Sequence, residues 1–203
     1  EQREELCMSI NNNFIEWYKL NLGIRADLVP ILENVRSGAS IELWKFKQRL
    51  NESYFREQKK YLQYCLKILG LYCKEHRGDY YVSKNSALLN RLWSREITAG
   101  EFLGYPKCCI NAFEQGCREA LTSGLEKGPA VQFYRKVKNA IEKGNFNQIL
   151  FYALHIPCGL DCEETITMAE KIKLVLESKD IEAAYYLREY NINRIHEYYY
   201  RYA

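Results

Sequence analysis

Cys108 and Cys109 stand side by side just beyond Pro106, and a second pair, Cys158 and Cys162, follows far along the chain on either side of Gly159-Leu160-Asp161. Thiolates are soft donors. Four of them satisfy the tetrahedral sphere of zinc or the irons of an iron–sulfur cluster, and a single ionised one is a nucleophile. Both chemistries need charged sulfur, and both pairs stand where charge is favoured. Pro106 suits the opening of a helix, which places Cys108 and Cys109 in a first turn rich in unpaired N–H groups at the positive end of the dipole. Asp161 suits the cap of a second helix, with Glu164 at the reciprocal box position, Cys162 the first residue inside and Cys158 on the loop before it. Lys107 adds positive charge beside the first pair. Lowered thiolate pKa values are the expectation.

Several chemistries fit this pattern. Neighbouring cysteines strain to reach one zinc ion, whereas a polynuclear cluster is wider and accepts them more readily, so iron–sulfur is favoured and zinc is the alternative. A metal-free thiol enzyme would use Cys108 or Cys109 to attack and Cys162 to resolve. The plainer reading is burial, since Cys109 aligns with Phe113 and Cys117 on one helical stripe. Cys117 lies roughly 12 Å beyond Cys109 along a helix axis and cannot share a mononuclear site with it. Cys117, Cys7 and Cys65 therefore read as core, and Cys73 is ambiguous. His155, just before Cys158, is either a further ligand or, the favoured reading, a hydrogen-bonded histidine closing an apolar run.

The elements that must position these residues are mostly helical. Leu6, Ile10, Phe14, Trp17 and Tyr18 predict a helix up to about Leu22. Asp27 is a candidate cap for a short second helix with Pro30 in its first turn, ended by Gly38, and Ser40 caps a third. Helical spacing continues from Ile41 to Leu69 through Trp44, with a break near Asn51. Leu71–Lys74 and Tyr80–Ser83 predict a hairpin around His76-Arg77-Gly78-Asp79. Helices follow over Ser86–Ile97, from Thr98 with Glu101 completing a capping box, and from Pro106 through Ile110, Phe113, Cys117 and Leu121. Beyond a Gly-Pro loop, Val131–Lys143 is helical. Ile149–Ile156 is a buried helix or strand, and Asp161 opens a helix to Ser178 with a stripe of Ile166, Ala169, Ile172, Val175 and Leu176. The expected fold class is mainly α with a small β-hairpin, a helical single domain with an N-terminal helical extension. It divides into an N-terminal helical region (1–59), a cysteine-motif core (60–179) and a Tyr-rich C-terminal helix (180–203).

Composition sets wider bounds. Hydrophobic residues make up 47% and charged residues 27%, as in ordinary globular chains, and a net charge of +3 does not by itself point to nucleic acid. The longest apolar run, Ile149–Leu154, is too short to cross a membrane. Eight cysteines without a signal-like start favour a reducing, cytoplasmic setting over a disulfide scaffold. A start at Glu1 rather than Met suggests that residues are missing upstream.

At Leu103-Gly104-Tyr105-Pro106-Lys107-Cys108-Cys109-Ile110-Asn111-Ala112-Phe113 and again at His155-Ile156-Pro157-Cys158-Gly159-Leu160-Asp161-Cys162, the chain resembles a family of mainly archaeal proteins catalogued as domain of unknown function 483. An LGYPxCC block followed by an xPCxxxC block carries the likeness, which covers about Lys60 to Ser178. The family brings no activity with it. The resemblance implies that Cys108, Cys109, Cys158 and Cys162 form one set, presented in part by the turn Gly104-Tyr105-Pro106. It also implies a Ser or Thr soon after the last cysteine, a place Thr165 fills loosely because Glu163 and Glu164 intervene.

The functional expectation is a cysteine-ligated metal protein, foremost an iron–sulfur protein in redox or sulfur-transfer chemistry. His155, Tyr105 and Lys107 would stand around the centre, and a redox partner or small-molecule substrate is implied. A zinc-stapled module binding RNA or a protein is the alternative, because Tyr185–Tyr202 interleaves tyrosines with Arg188, Arg194 and Arg201. Glu182, Glu189 and Glu197 dilute that charge and favour a helix packed on the core or on a twin subunit.

Overall fold

The structure, a computed structural model, describes residues 7–10, 13–43, 52–124 and 128–202. It is mainly α with a small antiparallel β component, in two compact units, 1–104 and 105–203. This division falls at Gly104, away from the boundaries expected near 59 and 179.

The first unit opens with strands where a helix is expected. β1 (Cys7–Ile10) pairs antiparallel with β2 (Asn13–Glu16), and a 3-10 turn follows at Trp17–Lys19. Ile15 and Trp17 are both buried with Glu16 between them only partly so, a period of two that the helical spacing of the large side chains disguises. α1 (Leu22–Leu32) is capped by Asn21, whose side chain accepts from the Gly23 N–H at 2.9 Å. Asp27 is thus interior to α1, and Pro30 lies near its end rather than in a first turn. The Pro30 carbonyl takes the Val35 and Arg36 N–H groups that close the helix.

Gly38 and Ser40 neither end nor cap a helix. They lead into and lie on β3 (Ala39–Glu42), which pairs with β5 (Asp79–Ser83); β4 (Tyr72–His76) flanks β5 on its other side. Ala39 and Ile41 face Val82 and Tyr80 across the ladder, and all four are buried. Four residues holding one β-branched side chain give little local strand signal, so pairing with β5 makes this strand. The expected hairpin is present: Arg77 (φ 54°) and Gly78 (φ 89°) form the two-residue turn that suits right-twisted strands. α2 (Glu52–Ile68) buries Leu62, Cys65 and Leu66, while Trp44 and the rest of 44–51 lie outside the described residues.

α3 (Ser86–Trp93) stops short of Ile97, and α4 (Ala99–Phe102) carries the expected box: Thr98 Oγ1 accepts from the Glu101 N–H and Glu101 Oε2 from the Thr98 N–H. Phe102 plugs the unit. A Cβ on Gly38 would stand 2.6 Å from the Phe102 ring, and Ser37 Oγ donates to the Phe102 carbonyl at 2.7 Å.

In the second unit α5 (Lys107–Ser123) packs on α6 (Pro129–Glu142), and α6 on α8 (Ile181–Tyr202). A 3-10 segment, Gln148–Tyr152, lies against both α7 (Glu163–Lys179) and α8. It resolves the helix-or-strand question at Ile149–Ile156, with the remainder open loop. The buried stripe of α5 is rotated from expectation. Cys109 and Ala120 are buried, while Phe113 and Leu121 are exposed and Cys117 is only half-buried. Small residues set this choice, since a Cβ on Gly116 would meet Pro129 at 3.0 Å, so α5 and α6 approach across Gly116. On α7 the expected stripe holds in part: Ala169, Ile172 and Leu176 are fully buried, while Ile166 and Val175 are half-buried.

Candidate metal centre

Each half of the centre begins at a helix start. Pro106 is the N-cap of α5, and its carbonyl accepts from the N–H groups of Cys109 and Ile110, both at 3.0 Å. The first cysteine pair therefore occupies the first turn, as the proline implies. At the second start the cap is Cys162 itself, not Asp161; its carbonyl takes the Ile166 N–H at 2.9 Å and no side chain completes a box. Asp161 instead folds back, its Oδ1 2.8 Å from where a Cβ on Gly159 would lie, so a glycine there leaves room for the turn.

These starts bring the sulfurs together. Cys108 Sγ lies 3.8 Å from Cys109 Sγ and 3.7 Å from Cys162 Sγ, and Cys109 and Cys162 are 3.6 Å apart. With Cys158 included, all four sulfurs fall within 4.8 Å of one another, a spacing at which they could hold a metal ion. Cys109 and Cys162 are buried, Cys108 is half-buried and Cys158 is exposed, so the cluster is closed on one side and open on another. Cys65 and Cys73 belong to the first unit and Cys117 lies outside the group; Cys7 has no described side chain.

A ring of polar contacts fixes the cluster. Thr165, fully buried, donates its hydroxyl to Cys162 Sγ at 3.3 Å and holds Oγ1 3.2 Å from Cys109 Sγ. The Cys158 N–H donates to Cys109 Sγ at 3.3 Å. His155 is not among the converging donors; its Nε2 bonds Thr165 Oγ1 at 3.0 Å, one contact removed from the sulfurs. Tyr105 stacks on the His155 ring at 4.7 Å and donates its hydroxyl to the Leu154 carbonyl at 2.9 Å, so the first motif grips the loop of the second. Lys107 is exposed. Glu164 Oε2 lies 3.7 Å from Cys108 Sγ and 3.6 Å from Cys162 Sγ. Asn191 on α8 donates to the carbonyls of Phe151 and Ala153 at 2.7 and 3.1 Å, anchoring the chain that leads to Cys158. Neither Glu164 nor Asn191 stands out as a site residue in the sequence: the first resembles an ordinary cap, and the second sits on a remote tyrosine-rich helix.

The electrostatics depart from the helix-terminus expectation. Burial, then hydrogen bonds with the Cys162, Cys109 and Cys158 thiols, pushes Cys108 well above the usual thiol range. Burial, with help from the Cys162 thiol, pushes Cys158 up to about 11. Cys162 is the exception. Burial acts to raise it, but the Thr165 hydroxyl and backbone N–H, with neighbouring thiols, bring it below its ordinary value. A bound cation would offset both the burial and the mutual repulsion of four thiolates this close.

The profile of the family described as protein of unknown function (DUF483) matches residues 62–192. The chain belongs to this family. The uncharacterized protein MJ1106 of Methanocaldococcus jannaschii is 28% identical over 148 residues, covering 69% of this chain and 75% of that relative. No solved structure matches. The family's matched span takes in all four clustered cysteines with Tyr105, His155, Thr165 and Asn191.

Proposed function

We propose that Cys108, Cys109, Cys158 and Cys162 hold a single tetrahedral metal ion, zinc before iron, which ties the start of α5 to the loop and cap that open α7. One observation carries this reading: the sulfur spacings of 3.6, 3.7 and 3.8 Å. Metal–sulfur bonds of about 2.3 Å directed to a tetrahedron set the sulfurs roughly 3.8 Å apart. In a four-iron cluster each thiolate binds a different iron, which spreads the sulfurs to roughly 6 Å. The iron–sulfur centre favoured by the tandem cysteines would thus require the cluster to expand, whereas one ion needs almost no movement. The donor set suits the ion, since four soft sulfurs in tetrahedral array are the sphere that zinc and mononuclear iron select.

When bound, the ion would supply charge neutralisation and a crosslink. The chain's own residues do the rest. Thr165 and the Cys158 N–H direct hydrogen bonds at sulfur, His155 orients the Thr165 hydroxyl, and Tyr105 and Asn191 hold the intervening loop. The raised Cys108 thiol argues against its acting as an attacking nucleophile without metal. The test is elemental analysis with an absorption spectrum on protein purified without oxygen. One zinc or iron per chain and no acid-labile sulfide supports the proposal. Brown protein with sulfide would restore the cluster reading, and metal-free protein would remove both.

A further inference from the structure

Three of the four sulfurs, those of Cys108, Cys109 and Cys162, form a nearly equilateral triangle with edges of 3.6, 3.7 and 3.8 Å. Cys158 completes the set, and it alone is exposed. One oxygen stands at an edge of this triangle. Glu164, in the first turn of α7, accepts through Oε2 from the Cys108 thiol at 3.7 Å and from the Cys162 thiol at 3.6 Å. Two ligands of one ion keep nearly this distance. With metal–sulfur bonds of about 2.3 Å and metal–oxygen bonds of about 2.0–2.2 Å at tetrahedral angles, sulfur and oxygen stand roughly 3.5–3.7 Å apart. Glu164 is nevertheless outside the group whose donors all lie within 4.8 Å of one another, which is the four cysteines. Four thiolates fill a tetrahedral sphere, so with all of them in place the carboxylate stands beside it.

We propose, resting on the single-ion reading, that Glu164 is a reserve ligand: its carboxylate takes the fourth position on the ion when Cys158 vacates it. In this exchange the bond from the ion to Cys158 Sγ breaks with its electron pair staying on sulfur, and a lone pair of Glu164 Oε2 forms the new metal–oxygen bond. The oxidation state of the ion is unchanged. A carboxylate replaces a thiolate one for one, so the charge of the centre is also unchanged. Cys158 is the ligand that leaves, because solvent reaches it, whereas Cys109 and Cys162 are buried and the Cys108–Cys162 edge is the one Glu164 already touches. The centre then keeps its ion while giving up its exposed sulfur.

The test titrates cobalt(II) into the metal-free full chain and follows thiolate-to-cobalt charge-transfer absorption, with zinc competition giving affinities. Wild type and Glu164→Gln should each bind one ion with the same four-thiolate spectrum. Cys158→Ala should still bind one ion, its charge-transfer intensity reduced to about three quarters because one of four metal–sulfur bonds is gone. Cys158→Ala/Glu164→Gln should bind on the order of tenfold or more weaker than Cys158→Ala. Equal affinity in those two variants, with water filling the fourth position, overturns the proposal. So does a Glu164→Gln loss as large with Cys158 present as without it, which marks a general charge effect, or a Cys158→Ala chain that holds no ion. A wild-type chain that binds no cobalt or zinc fails the single-ion reading instead, and its titration, run first, separates the two failures.

Discussion

Thr165 links the sulfurs to the rest of the site, since one hydroxyl touches Cys109, Cys162 and His155. Removing it in Thr165→Val should lower metal affinity by roughly 10- to 100-fold, the usual cost of losing such a supporting contact. Thr165→Ser should keep most of the affinity, and competition with a chromogenic chelator measures both. Equal affinities for the Val and Ser variants would mean that the hydroxyl is idle. At this scale the sequence was informative about identity and poor about environment. Helix-start chemistry marks Cys108 and Cys109, because Pro106 visibly sets a first turn, whereas grouping them with Cys158 and Cys162 leans on the family resemblance. The same logic misjudges Cys108, whose thiol rises because burial and three sulfur neighbours outweigh the helix end.

Elements hold the second half of the centre in place more indirectly. Asn191 bonds two carbonyls of the chain leading to Cys158, and both would lose this donor in Asn191→Ala. We expect a loss of about 1–3 kcal/mol on chemical denaturation, together with faster metal release. In the other unit, Gly38→Ala would drive a methyl group into the Phe102 ring and should cost about 1–3 kcal/mol, with no change in metal affinity if the centre is confined to residues after Gly104. Helices with strong punctuation were legible: Thr98 and Glu101 announce α4, and Arg77-Gly78 announces the β4–β5 turn. The β1–β2 pair and β3 were not, because their strand character comes from partners distant in sequence or from an alternation masked by bulky side chains. On α8, Tyr185 is exposed, whereas other described side chains find ring partners. Tyr186 stacks on Tyr190 and Arg194 lies over the Tyr190 ring within the helix, while Arg188 lies over Phe151.

For the whole molecule, the single-ion reading makes metal uptake depend on pH through the raised thiols. With Cys158 up to about 11 and Cys108 well above its usual range, both carry protons at neutral pH in the metal-free chain. Metal uptake must displace those protons, so adding zinc to a weakly buffered solution should acidify it, and affinity should fall as pH is lowered. An affinity indifferent to pH would rule out thiolate ligation. None of the helices described is long and apolar enough to cross a membrane.

Every sulfur of the set, together with Thr165, His155, Tyr105 and Asn191, comes from the stretch after Gly104, in the unit 105–203. The four sulfurs and the groups that touch them are therefore encoded in one uninterrupted half of the sequence, and a segment carrying that half would keep them all.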